Sequence, residues 1–152
     1  MIVDPVESVR AELLRKVVNS GIFSLDQIQR ENALAPEELP YCRFTIPQSG
    51  GFEADSQKIQ SKTVIAEFDI MTKAMTQTQL AGQYAARIED LFGLFDRDPE
   101  KAKIPMPGWS GASAVITEFQ RGTASTEADT NIYYLPVLLY IRITLQKGAK
   151  YE

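Results

Sequence analysis

From Tyr133 to Gln146 the chain reads YYLPVLLYIRITLQ, and large, mostly aliphatic residues fall on every second position: Tyr133, Leu135, Val137, Leu139, Ile141, Ile143 and Leu145. A period of two with this β-branched and aromatic content predicts a β-strand with one buried face. At ~3.3 Å per residue, about fourteen extended residues reach ~46 Å, against a radius of gyration of ~15 Å for a compact domain of this length. The strand therefore either crosses the whole domain or begins as a bulged extension marked by Pro136. The alternate positions hold Tyr134, Leu138, Tyr140 and Arg142, so the second face is half apolar. Such a face predicts a cover: a helix, a loop or another subunit.

The other elements follow from the same reading. A helix is expected over Pro5 to Asn19, with Asp4 as its cap, Pro5 in the first turn and Glu7 where a capping box places its acid. Val6, Val9, Leu13 and Val17 form its apolar face, flanked by Leu14 and Val18, and Arg10, Glu12, Arg15 and Lys16 lie away from it. Gly21 suits its left-handed end. Ser24 and Gln27 can open a short helix through Leu25 and Ile28, and Ala35 to Pro40 reads as a polar loop. A strand over Tyr41 to Ile46 puts Cys42, Phe44 and Ile46 on one face, and a polar excursion runs from Gln48 to Ser61. A second strand over Lys62 to Thr72 sets Val64, Ala66, Phe68 and Ile70 against Ile65, Glu67, Asp69 and Met71, and pairs antiparallel with the first. A helix over Gln77 to Phe95, with a Thr76–Gln79 capping box, buries Leu80, Tyr84, Ile88, Leu91, Phe92 and Phe95 and wets Gln83, Arg87 and Asp90. A charged, then proline-rich loop spans Asp96 to Gly111. A third strand covers Ala112 to Phe119, a polar connection Arg121 to Asn131, and a polar tail Lys147 to Glu152. The expected fold is one α+β domain over residues 1–152: an antiparallel or mixed sheet of about four strands with two helices on one face, in the order αββαββ. There is no internal repeat, low-complexity tract or interdomain linker.

Composition changes this picture mainly by subtraction. The chain has 152 residues, a net charge of −4, one cysteine and no histidine. Lysines and arginines form no basic stripe, so specific nucleic-acid binding and an anionic membrane are poor expectations. No apolar run approaches the ~20 residues of a transmembrane helix, and the acidic start MIVDPVESVR carries no export signal. Cys42, alone in an apolar alternation, reads as a buried thiol. Without histidine, His-dependent triads and the usual zinc sites fall away. No phosphate loop, dinucleotide fingerprint or nucleophile elbow is present. Asp96, Asp98 and Glu100 could hold a hard cation, but Pro99 interrupts them and Arg97 and Lys101 neutralise them, so a solvated loop is the better reading. Glu127 with Asp129 reads the same way, and Glu67 with Asp69 as the solvated face of a sheet. The expectation is no enzyme, no metal and no cofactor.

The residues left for function are those that can meet a partner. Trp109, beside Ile104, Met106 and Pro107, either lids one end of the core or anchors a subunit interface, where tryptophan is enriched. Phe52, after Gly50-Gly51, poses the same choice. With Arg121, Tyr134, Leu138, Tyr140 and Arg142 they make up the candidate subunit or partner interface.

In element order and hydrophobic texture the chain resembles the phage tail terminator proteins of long-tailed bacteriophages, the lambda-type minor tail protein group. The matching stretches are VRAELLRKVV, LPYCRFTIPQ, KTVIAEFDIMTK, AARIEDLFGLF, ASAVITEFQRG and YYLPVLLYIRITLQ, spanning Val9 to Gln146. The stretches Ile22 to Ala35 and Lys101 to Trp109 are longer than the family leads one to expect. The resemblance implies a structural virion protein, located in the tail or neck and in the host cytoplasm during assembly. It implies a homo-oligomeric ring, a hexamer, that caps the tail tube, stops its polymerisation and joins it to the head connector or neck protein, with DNA passing through. Such a ring needs two different annular faces and sides that close by rotation. The alternatives are a head-completion or neck protein, which also forms a ring, and a small non-virion ferredoxin-like binding module that dimerises through its sheet.

Overall fold

A computed structural model describes residues 4–29, 39–47, 50–127 and 129–152. The first helix, α1, runs Pro5–Ser20, with the Val6 amide donating to Asp4 Oδ1 at 2.9 Å and Gly21 ending it at φ 81°. Val6, Val9, Leu13 and Val17 are buried as their spacing requires, and Leu14 and Val18 pack at the edge of the core. Two expectations for this helix change. Glu7 does not close a capping box but accepts from Arg10 at 3.2 Å. Arg10 is 6% exposed, because its guanidinium reaches inward to donate to the Ile46 carbonyl at 3.2 Å, which satisfies the group that burial would otherwise strand.

After a single 3-10 turn at Leu25–Gln27 come β1 (Ile28–Gln29) and β2 (Tyr41–Thr45). Most of the loop expected at Ala35 to Pro40 lies outside the described residues, as does Gln48. The strands β3 (Glu53–Ala54) and β4 (Ile59–Lys73) follow, then α2 (Thr78–Leu91), α3 (Pro99–Ala102), β5 (Lys103–Ile104), β6 (Trp109–Arg121), β7 (Ser125–Glu127) and β8 (Ile132–Tyr151). The sheet runs β1-β2-β4-β8-β6-β5, with β3 on β4 and β7 on β8. All pairs are antiparallel except β1 with β2.

The four expected strands are present as β2, β4, β6 and β8, and four short strands extend the sheet. Three of these lie in stretches expected to be loops: β3 in the excursion before β4, β5 in the Asp96 to Gly111 loop, and β7 in the connection before β8; that same loop also holds α3, a third helix where two were expected. The expected polar tail is strand through Tyr151. It is polar and largely exposed, yet Trp109 and Ser110 pair with Tyr151 and Lys150. β8 thus crosses the whole sheet, and β4 is zipped to it from Ile59↔Gln146 to Lys73↔Ile132.

Pro136 sits inside this central strand without breaking it. Its carbonyl accepts from Gly122 at 2.9 Å, and within a strand a residue's nitrogen and carbonyl oxygen point to the same side. The missing N–H therefore falls between the end of β6 and the start of β7, not in the ladder to β4. A side chain at Gly122 would come within 3.1 Å of the proline ring.

The helices cover one face. Val64, Ala66, Phe68 and Ile70 of β4 stand opposite Ile141, Leu139, Val137 and Leu135 of β8, and all join Val9, Leu13, Ala81, Ala85, Ile88 and Phe92 in one core. Phe44 stacks on Phe68 at 4.6 Å, and Phe68 meets Phe92 at 6.5 Å. α2 is shorter than expected and turned slightly about its axis. Ala81, Ala85, Ile88 and Glu89 are its buried residues, and Leu80, Tyr84 and Leu91 are half-buried. Phe95 is 59% exposed, because the helix ends before it. No side chain caps α2; Gln77 Oε1 instead accepts from the Lys73 amide at 3.2 Å.

Candidate functional site

The seven interface candidates divide into two groups. Three are used within the chain. Trp109 donates through Nε1 to Ser8 Oγ at 3.0 Å and meets Tyr151 edge-on, 5.8 Å between ring centres, so it fastens α1 to the end of β6 and β8. Phe52 packs half-buried on the core. Arg121 reaches across the helix side to Glu89 on α2, with contacts of 2.6, 3.1 and 3.2 Å.

The other four, Tyr134, Leu138, Tyr140 and Arg142, share the face that no helix covers among the described residues. Antiparallel pairing sets this face out in rows. Arg43 of β2 stands beside Asp69 of β4, which stands beside Pro136 of β8. The next row is Thr45, Glu67, Leu138 and Gln120, and then Ile65, Tyr140 and Glu118. Beyond lies Thr63 with Arg142 and Val115. Ile65 and Val115 are each 37% exposed, and Leu138, Pro136 and Tyr140 are half-buried. At one end, Tyr41, Met71 and Ile132 make a small second cluster under Leu39 and Tyr134.

The polar groups of this face are mostly paired at its margins. Tyr134 Oη donates to Glu127 at 2.8 Å, Tyr140 Oη to Gln120 at 2.9 Å, and Arg142 binds Asp55 at 2.5 Å. Burial, and then the bond to Glu127, push the Tyr134 hydroxyl pKa up. The centre differs. Asp69 Oδ1 is shielded from water and has no hydrogen-bond partner, and Arg43, though adjacent, makes no ion pair with it among the described residues. Burial first, and Glu67 second, push the Asp69 carboxyl up to about 6, with Arg43 opposing. The Tyr41 hydroxyl is also unpartnered, and burial raises its pKa. Arg43, Ile65 and Pro136 were not among the seven interface candidates, although the alternation had already set Ile65 and Pro136 on the outer positions of their strands. Their place on this face depends on inter-strand register, which no single strand reveals.

The other candidates dissolve into local structure. Asp98 caps α3 by accepting from the Glu100 amide at 3.0 Å, Asp96 pairs with Lys101, and Glu100 pairs with Lys103 at 2.8 Å. Among the described residues no cluster of acids and thiols has the placement to hold a metal, and no helix is long and apolar enough to cross a membrane. Cys42 is buried, and burial raises its thiol pKa well above the usual range. A hollow of about 460 Å³ between residues 54–60 and 145–149 has a mixed lining that includes Lys58, Lys147, Gln60, Ile59 and Leu145.

Among the described residues these features define a class: an α+β domain with one large sheet, helices on one side of it, and a half-apolar sheet face that none of the described elements covers. No protein-family model matches the sequence, and no curated protein matches it. Solved structures do share the fold. A chain from the virion of a native gene transfer agent particle is similar at TM-score 0.62 and 15% identity, over 92% of this chain and 97% of that one. A second chain, known by a sequence identifier alone, is similar at TM-score 0.59 and 14% identity, over 90% and 94%.

Proposed function

We propose that this chain is a structural virion protein of a tailed-phage-like particle, and that it acts as a tail terminator, a ring that caps the tail tube and joins it to the neck. The observation that carries this reading is the open face of the β2-β4-β8-β6 sheet. It holds Ile65, Leu138, Tyr140 and Val115 on a rigid platform, with no element of the described chain packed on it. A sheet face of this composition gains by being covered. A ring of identical subunits covers it without any further component, and no reacting group is needed. The shared fold of a gene transfer agent virion chain supports the setting.

Native mass spectrometry and light scattering over a range of protein concentrations test the proposal. A closed ring that binds the end of purified tail tubes is the expected result. A monomer at every concentration, with and without tail-tube protein, would remove the proposal. A ring that ignores tubes and binds head connectors would transfer the role to head completion. A twofold dimer indifferent to both would favour the non-virion module.

A further inference from the structure

We propose that Glu67 and Asp69 on the open sheet face receive a basic side chain from the next copy of this chain, and that this side chain is Arg87 of α2. The inference rests on the ring reading above and names the chemistry of the contact. Covering the face takes two carboxylates on one strand out of water. Asp69 Oδ1 already lacks a donor. The donors around it are committed elsewhere: Tyr134 to Glu127, Tyr140 to Gln120 and Arg142 to Asp55. Arg43, across from Asp69 on β2, is the remaining cation near it, and Lys73 stands at the far end of the face beside Ile132. Glu67, Asp69 and Glu118 outnumber these two, which leaves the covered face short of positive charge, and an unpaired buried carboxylate is strongly disfavoured. The incoming surface must therefore supply a cation.

A ring closes through two different patches of the same chain. If the open sheet face is one, the opposite side of the domain, the helix layer, is the natural other. Stacking the helices of one copy on the bare sheet of the next gives every sheet cover on both faces. Most cations of the helix layer are engaged: Arg10 with Glu7, Arg15 with Glu12, Lys16 over the Phe92 ring at 5.3 Å, and Lys101 with Asp96. Arg87 is exposed in the middle of α2 and makes no ion pair among the described residues.

The test uses charge reversal on the full chain, with ring formation read by native mass spectrometry and monomer folding by thermal melting. Glu67→Lys and Arg87→Glu both change side chains with access to solvent, so both variants fold. Each is expected to raise the concentration for half-assembly by at least about tenfold. The double variant, which restores opposite charges, is expected to recover to within about threefold of the parent. Single variants that assemble like the parent would overturn the inference and leave the ring reading standing. Weakened singles with no recovery in the double would also overturn it, since Arg87 would not be the partner. A parent chain that never forms a ring would remove the ring reading itself.

Discussion

Replacing Arg121 by alanine separates a side chain that holds the monomer together from one that meets a neighbour. Arg121 donates to Glu89 through Nε and Nη2, one edge of the guanidinium, and the Glu89 side chain is only 5% exposed while that of Arg121 is 41% exposed. Arg121→Ala leaves a carboxylate buried between α2 and the sheet with its cation gone. Removing one partner of a fully buried pair costs about 3–5 kcal/mol. Because the guanidinium is substantially exposed, water can enter after truncation, and a discounted cost of ~2 kcal/mol is the better figure. That is a large part of the ~5–15 kcal/mol by which a domain is stable. Urea denaturation of the two proteins, with m of about 1–3 kcal/mol/M, should show a midpoint lower by roughly 1 M and an unchanged slope. Adding Glu89→Gln should recover at least about half of the loss, since the uncompensated charge and not the lost contact dominates. A variant within ~0.5 kcal/mol of the parent, or a double variant no better than the single, would refute the account and return Arg121 to the list of interface residues.

Ile141→Asp puts a carboxylate at a fully buried position between Val64 and Ile116, and the expected outcome is insoluble or unfolded protein; a cooperative melt of soluble variant would contradict the assignment of the inner face. Trp109→Ala removes the bond to Ser8 and the contact with Tyr151, and should lower stability by about 2 kcal/mol while rings still form; intact stability with lost rings would make Trp109 an interface anchor. Gly108→Ala would force a Cβ to 2.6 Å from the Tyr151 ring at φ 82°, with an expected loss of about 1–3 kcal/mol by thermal melting. Asp69, faced by Glu67, Arg43 and Tyr134, binds its proton more tightly folded than unfolded, so its contribution falls as pH rises from about 4 to about 6. Asp69→Asn should therefore raise monomer stability at pH 7 relative to the parent and flatten that part of the pH profile; a variant less stable than the parent at pH 7 would show that the carboxylate has a partner.

The alternation of Tyr133 to Leu145 was enough to locate the central strand and its inner face, because one buried side imposes a strict period of two. The helix starting at Pro5 was equally legible, since Asp4, Pro5 and Gly21 act locally. What escaped is what depends on distant chain. Arg10 looked wet from its helical position, yet it is drawn inward by the Ile46 carbonyl. Phe95 looked buried by periodicity, but the helix stops at Leu91 before reaching it. The tail after Gln146 carries no apolar signal, and it is strand only because Trp109 and Ser110 lie alongside. The element order read from periodicity led to an α+β sheet with helices packed on it, while the short strands that lengthen the sheet lay in stretches with no strand signal. Of the site, the β8 half could be read from Tyr134, Leu138, Tyr140 and Arg142. The β2 and β4 half required register, which brings Arg43 beside Asp69.

The placement of β8 also sets a timetable for folding. The last strand in the sequence lies between β4 and β6, which do not pair with each other. Until it emerges from the ribosome, both neighbours have a bare edge and no partner on that side, and the core has no floor. Closing these ladders joins segments far apart in sequence, a slow step by the usual dependence on contact separation. The sheet is therefore complete only once synthesis has passed Ile132 to Tyr151, so a shorter nascent fragment lacks the platform on which the proposed ring contact would form.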